Sequence, residues 1–144
     1  MLDKKLFYIN GKWVSPKNSK EIEVIDPATE KKCATISLGG KDDVNDAVAA
    51  AKNAFGSWSF TTKDERVELL EKLYVVYKKR WSDVADAITL EMGAPKDFSS
   101  QLQAGSGAGH IKSFIKYLKE FSFEKILGDH AKNQKILYEP KGVC

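Results

Sequence analysis

The 144-residue chain has the size of one domain, and its 42% hydrophobic and 10% aromatic content is enough to close a core, which excludes a disordered chain. Its formal net charge of +3, with 30% charged residues, makes too weak a field to imply a polyanionic partner, so no nucleic acid is expected.

From the N-terminus, Leu6, Phe7, Tyr8 and Ile9 form an apolar run between Lys4-Lys5 and Asn10-Gly11, too short for a signal peptide or a membrane span. Asn10-Gly11 between Phe7-Tyr8-Ile9 and Lys12-Trp13-Val14 predicts a β-hairpin, because both turn residues tolerate positive φ. Glu21 to Ile25 alternates charged and β-branched residues, Asp26-Pro27-Ala28-Thr29 is turn chemistry, and Lys32 to Leu38 resumes the alternation. A second strand pair is expected there.

After Gly39-Gly40 the period becomes helical. Val44, Ala47, Val48, Ala51 and Phe55 form the expected core stripe, Asp42 and Asp43 sit at the positive end of the helix dipole, and Gly56 is the expected stop. Thr62 with Glu65 makes a capping box that opens a second helix, with Leu70, Leu73, Tyr74 and Tyr77 on one face. A third helix from about Ser82 carries Val84, Ala85, Ile88 and Met92, and ends at Gly93, where a left-handed cap is wanted, ahead of Pro95.

Asp97 to Phe121 predicts a fourth helix with Phe98, Leu102, Ile111, Ile115 and Leu118 as core positions, interrupted by Gly105, Gly107 and Gly109. Gly128-Asp129 separates it from a last strand, Gln134 to Glu139, which turns at Pro140-Lys141-Gly142 and restarts at Val143-Cys144. There is no internal repeat or low-complexity tract. An apolar strand that begins without continuing reads as a truncated chain.

The residues that invite chemistry each have a plainer reading. Cys33 lies in an alternating strand with no His or acid at motif spacing to activate it, and Cys33 and Cys144 are too far apart in sequence for a redox or zinc motif. Two unpaired cysteines point to a reducing compartment, hence the cytoplasm. Gly105-Ser106-Gly107-Ala108-Gly109 lacks the preceding strand and fresh helix of a phosphate loop; close approach of another backbone explains it better. The lysines between Lys112 and Lys141, interleaved with Phe114, Tyr117, Phe121 and Phe123, read as a solvated amphipathic face. His110 and His130 have no partner ligand at helical spacing and imply no transition-metal site.

Taken in order, Tyr8-Ile9-Asn10-Gly11-Lys12-Trp13-Val14 and Val24-Ile25-Asp26-Pro27-Ala28-Thr29 resemble the N-terminus of the aldehyde dehydrogenase superfamily. Asp43-Val44 with the alanine-rich helix to Ala54-Phe55, then Trp58, Glu65-Arg66 and Leu69-Leu70, continue the resemblance. So do Thr89-Leu90-Glu91-Met92-Gly93-Ala94-Pro95 and Tyr138-Glu139-Pro140-Lys141-Gly142-Val143. Each motif is weakly specific, but their order along nearly the whole chain is not.

The resemblance implies an α/β fold: the N-terminal strands and helical portion of a coenzyme-binding domain over 1–122, then an oligomerisation hairpin over 123–144 leading into a Rossmann-like nucleotide-binding sheet. It implies NAD or NADP as cofactor, a small-molecule aldehyde as substrate, and a homo-oligomer, dimer or tetramer, as the assembled enzyme. In this family a cysteine thiolate attacks the aldehyde, a hydride passes to the nicotinamide, a glutamate activates water, and an asparagine side chain with a backbone N–H stabilises the oxyanion.

The asparagine is expected in a Pro-Trp-Asn segment just past Val143-Cys144, and the cysteine and glutamate much further on. No catalytic and no cofactor-binding residue is therefore carried over, and Cys144, where the family has a small or apolar residue, reads as packing. Some relatives hold a structural monovalent cation with a carboxylate at the position of Glu91 and backbone carbonyls at that of Ile25; hard oxygen donors at a helix C-terminus suit such an ion. Two rival readings stand beside this one: a complete non-catalytic assembly module that pairs with aldehyde dehydrogenase subunits through the hairpin, and a small lysine-rich nucleic-acid binder.

Overall fold

A computed structural model describes residues 2–18 and 20–144. Asn10 and Gly11 take positive φ (52° and 74°), which twists the two-residue turn to match its strands. Strands β2 (Phe7–Ile9) and β3 (Lys12–Val14) accordingly pair antiparallel as expected, with Tyr8 opposite Trp13 and their rings 5.2 Å apart.

The second pair, β4 (Lys20–Asp26) and β5 (Lys31–Leu38), is antiparallel with a bulge between Val24 and Ile25. A strand that the sequence reading did not contain, β1 (Leu2–Lys4), adds to β5 in parallel, giving the order β1-β5-β4. Three residues beside a lysine pair carry no alternation to announce it. The β4–β5 turn is held by Asp26, whose carboxylate accepts from the Ala28 N–H at 2.8 Å and the Thr29 hydroxyl at 2.9 Å.

Helix α1 spans Lys41–Trp58, so Gly56 is inside it and does not stop it. A hypothetical Cβ at Gly56 meets nothing within 4 Å, so its small size is not needed for contact either. Helix α2 (Lys63–Lys79) opens with the expected capping box: Thr62 Oγ1 accepts from the Glu65 N–H, and the Glu65 carboxylate accepts from the Thr62 N–H at 2.7 Å. Helix α3 (Trp81–Met92) ends at Gly93, whose φ of 71° is the left-handed cap the sequence called for.

The predicted fourth helix is three pieces. Helix α4 (Lys96–Phe98) runs into a wide π-helical turn, Ser99–Ala104, and then α5 (Gly105–Glu120). Beyond it, β6 (Glu124–Ile126) and β7 (Lys135–Leu137) form an antiparallel hairpin with a short 3-10 turn, Asp129–Ala131, between them. The expected strand Gln134–Glu139 is thus shortened to Lys135–Leu137, β6 is its partner in a hairpin within 123–144, and Val143 and Cys144 carry no strand.

The core is small and made of small side chains. Ala34, Val67, Ala85, Ala94, Ala104 and Ala108 are its buried apolar members, gathered mainly where α2, α3 and the π-helical turn with α5 approach one another. Several expected core positions are open instead. On α1, Val44, Ala47, Val48 and Ala51 face solvent and Phe55 is half-buried, because among the described residues only the β2–β3 hairpin lies against this helix to an appreciable extent. Leu73 and Met92 are exposed in the same way.

Phe98 and Leu102 fail for a geometric reason. At about 100° per residue, nine residues from Leu102 to Ile111 place the two on opposite sides of a helix. Ile111, Ile115 and Leu118 are half-buried, while Phe98 and Leu102 point outward and Ser99 is fully buried in their stead.

Candidate functional site

The C-terminal end of α3 packs on β4 and its turn: a Cβ on Gly93 would come within 2.9 Å of Pro27 Cγ and 3.4 Å of the Ala28 nitrogen. This is the corner to which the sequence assigned Ile25 and Glu91. The depression facing the turn is lined by Asp26, Ala28, Asp86, Leu90 and Lys96, whereas Glu91 lies on a separate one with Arg80, Asp83 and Ile88. Leu90 and Glu91 are one residue apart, so they face directions about 100° apart around the helix.

Ile25, next to the bulge, is exposed and pairs with Lys32. Ile25 lines neither of these two depressions, and among the described residues no three His, Cys, Asp or Glu side chains are grouped to hold a metal ion. What the corner does offer a cation is the end of a helix, with the Thr89 carbonyl already taken by the Gly93 N–H. The carboxylate best placed on the turn side is Asp26, read in the sequence only as turn chemistry. Its pKa lies below the ordinary 3.8, first through the Ala28 N–H and then through the Thr29 hydroxyl, so it stays charged.

A second organised carboxylate is Asp43, nearly buried at the start of α1. It accepts from the Lys17 N–H at 2.9 Å and from the Gly40 N–H at 2.8 Å, and these bonds, Gly40 first, hold its pKa down. Both bonds are spent on joining loop to helix. The sequence placed Asp43 at the dipole but gave no sign of the reach to Lys17.

The structure places the remaining candidates individually. The half-buried Cys33 thiol donates to the Val24 carbonyl across the strand pair, with a separation of 3.3 Å, and Cys144 is exposed. The glycines from Gly105 lie in α5, and the close neighbour there is a side chain, not the backbone that was expected: a Cβ on Gly107 would sit 2.3 Å from the Tyr77 hydroxyl oxygen. That hydroxyl donates to the Ala104 carbonyl at 2.9 Å. His110 and His130 are exposed.

The lysine-rich stretch is broken up by partners. Lys119 pairs with Glu71 at 2.6 Å, Lys135 with Glu124, and Lys125 lies over the Tyr138 ring, while Lys63 donates to the carbonyls of Lys119, in the last turn of α5, and of Phe121, just beyond it. At the base of the β6–β7 hairpin, Phe121 packs against Phe123 and Tyr138 at centroid distances of 4.9 Å and 5.3 Å. Ile126 and Leu137 are left exposed on the hairpin itself. Among the described residues each thiol donates to a backbone carbonyl, Cys33 to Val24 and Cys144 to Gly142, and the hydroxyl–carboxylate pairs Thr29–Asp26 and Thr62–Glu65 hold a turn and a helix cap.

Comparison with known proteins gives a consistent answer. The family model described as "Aldehyde dehydrogenase family" matches residues 13–144. The chain is 45% identical to 3-succinoylsemialdehyde-pyridine dehydrogenase of a Pseudomonas species, an alignment that covers 100% of this chain and 30% of that protein. A crystal structure of an aldehyde dehydrogenase from Bartonella henselae superposes with a TM-score of 0.88 at 47% identity, covering 90% of this chain and 27% of the other. A mutant aldehyde dehydrogenase C of Pseudomonas syringae, crystallised with NAD+ and octanal, superposes with a TM-score of 0.83 at 34% identity, covering 86% and 26%. The chain thus spans 30% or less of the length of each of these relatives. Among the described residues no helix is long and apolar enough to cross a membrane.

Proposed function

The chain belongs to the aldehyde dehydrogenase family, and from that premise we propose that it forms the N-terminal part of an enzyme that oxidises an aldehyde to a carboxylic acid with NAD+ or NADP+. The observation that carries this reading is the match over residues 13–144 together with a TM-score of 0.88 to a family member at 47% identity. The nicotinamide coenzyme, which takes the hydride when bound, is supported by the NAD+ in the Pseudomonas syringae relative.

The role of this chain is to supply scaffold. The thiolate, the water-activating glutamate and the oxyanion asparagine are assigned to other parts of the whole enzyme, since no residue of this chain matches the family's motifs for those roles. The β6–β7 hairpin, with exposed Ile126 and Leu137, is the segment through which subunits assemble. Two free thiols suit a cytoplasmic setting. A monovalent cation at Ile25 and Glu91 is supported only by the carbonyl-bearing end of α3, since Glu91 lines a different depression from the one facing the β4–β5 turn and Ile25 lines neither.

The reading predicts that the purified 144-residue chain, given aldehydes of several chain lengths with NAD+ or NADP+, forms no reduced coenzyme above the buffer blank. Turnover by the isolated chain would show that chemistry resides in these residues after all.

A further inference from the structure

The run from Lys96 to Glu120 is interrupted by the wide turn at Ser99–Ala104, and three side chains of α2 and α3 reach into that turn. Thr89 Oγ1 pairs with Ser99 Oγ at 2.9 Å, the Trp81 indole N–H donates to Ser100 Oγ at 3.2 Å, and the Tyr77 hydroxyl donates to the Ala104 carbonyl at 2.9 Å. Ser99 and Ala104 are fully buried, whereas Gln101 between them is exposed.

In an uninterrupted α-helix the residue above Ala104 and Ala108 is four positions back, and that is Ser100, not Ser99. A π-helical turn rotates less per residue, so it carries Ser99 round into the buried face in place of Ser100. The sequence Ser99-Ser100-Gln101 therefore has an unusual property. Sliding by one residue into regular α geometry would bring Ser100 to Thr89 and Gln101 to Trp81, and each of the two bonds would be remade with an equivalent oxygen acceptor.

We infer that Ser99–Ala104 is a register device with two arrangements: the wide turn, with Ser99 on Thr89 and Ser100 on Trp81, and a regular helical one, with Ser100 on Thr89 and Gln101 on Trp81. The Tyr77 bond to Ala104 is common to both and marks the fixed end. In the second arrangement one residue of length passes to the Ala94-Pro95 link between α3 and α4, beside the β4–β5 turn. A slip of this kind takes microseconds to milliseconds, and keeping one hydrogen bond while remaking the other two holds its two states close in energy.

Amide relaxation-dispersion NMR on the 144-residue chain tests this. Exchange is expected in the wild type, confined to residues 96–105. Gln101→Leu, at a position exposed in the wide turn, removes an acceptor that only the regular arrangement uses and lowers the minor population about tenfold. Ser99→Ala removes the acceptor that only the wide turn uses and shifts the populations the other way, with Cα shifts of 99–104 moving toward regular helix. Absence of exchange in the wild-type segment, or the same exchange in all three proteins, would overturn the inference. Gln101→Leu decides the matter even if Ser99→Ala proves too unstable to study.

Discussion

The backbone N–H of Lys17 donates to the Asp43 carboxylate at 2.9 Å, across 26 residues of sequence, so the loop after β3 is anchored to the first turn of α1. The other carboxylate oxygen holds the Gly40 N–H. Because these bonds depress the folded-state pKa below the ordinary 3.8, their stabilisation is fully present above that value and is lost as pH falls through the folded pKa. Thermal melts across an acid series are expected to give Asp43→Asn a lower melting midpoint than wild type at pH 7. The two curves should converge as pH falls through the lowered folded-state pKa of Asp43. Parallel curves over the whole series would remove Asp43 from the acid transition.

The contact between Tyr77 and Gly107 makes a sharper steric prediction. An alanine at 107 would put its Cβ 2.3 Å from the Tyr77 hydroxyl oxygen and 2.9 Å from the ring carbon that bears it. Gly107→Ala should cost about 2 kcal/mol in urea unfolding, because overpacking here must displace a side chain that is itself hydrogen-bonded. Tyr77→Phe alone should cost about 1 kcal/mol, and the two changes together less than their sum. Strict additivity would mean that the two positions do not touch.

Gly93→Ala combines two penalties at the end of α3: a φ of 71°, and a Cβ 2.9 Å from Pro27 Cγ. A loss of about 2 kcal/mol is expected, read as a lower urea midpoint with an unchanged slope. Gly56→Ala is the internal control, since that glycine is helical and has open space, and it should be neutral or stabilising by up to about 1 kcal/mol.

Most elements were legible because local chemistry determined them. Asn10-Gly11 fixes its hairpin, Thr62-Glu65 opens α2, and Gly93 closes α3, each through φ preference or capping within four residues. What was not legible depended on distant neighbours. The stripe on α1 looked like a core face, but periodicity cannot say whether a partner lies against it, and Val44 and Val48 are exposed. The π-helical turn has no local signal in its serines and glutamine, whereas the outward direction of Leu102 follows from its nine-residue spacing to Ile111. The pairing of β1 with β5 and the reach from Asp43 to Lys17 are non-local in the same sense.

For the candidate cation corner the sequence offers Glu91 at a helix end, and nothing in it says that Glu91 lines a different depression from the one facing the β4–β5 turn. The proposal has a simple check in thermal melts at equal ionic strength. Potassium should raise the midpoint of wild type relative to tetramethylammonium, and Glu91→Gln should lose that difference. The same midpoint in both salts for wild type would end the cation reading.

Under the proposed function these residues are the scaffold of an aldehyde dehydrogenase whose chemistry is carried by other parts of the enzyme. The most direct measurement joins this chain, in place of its aligned 30%, to the remainder of the Pseudomonas relative and follows reduced coenzyme with that relative's own aldehyde. The account predicts a folded chimera that turns over, while the isolated chain does not. A chimera that folds but is inactive, or an isolated chain that turns over by itself, would contradict it.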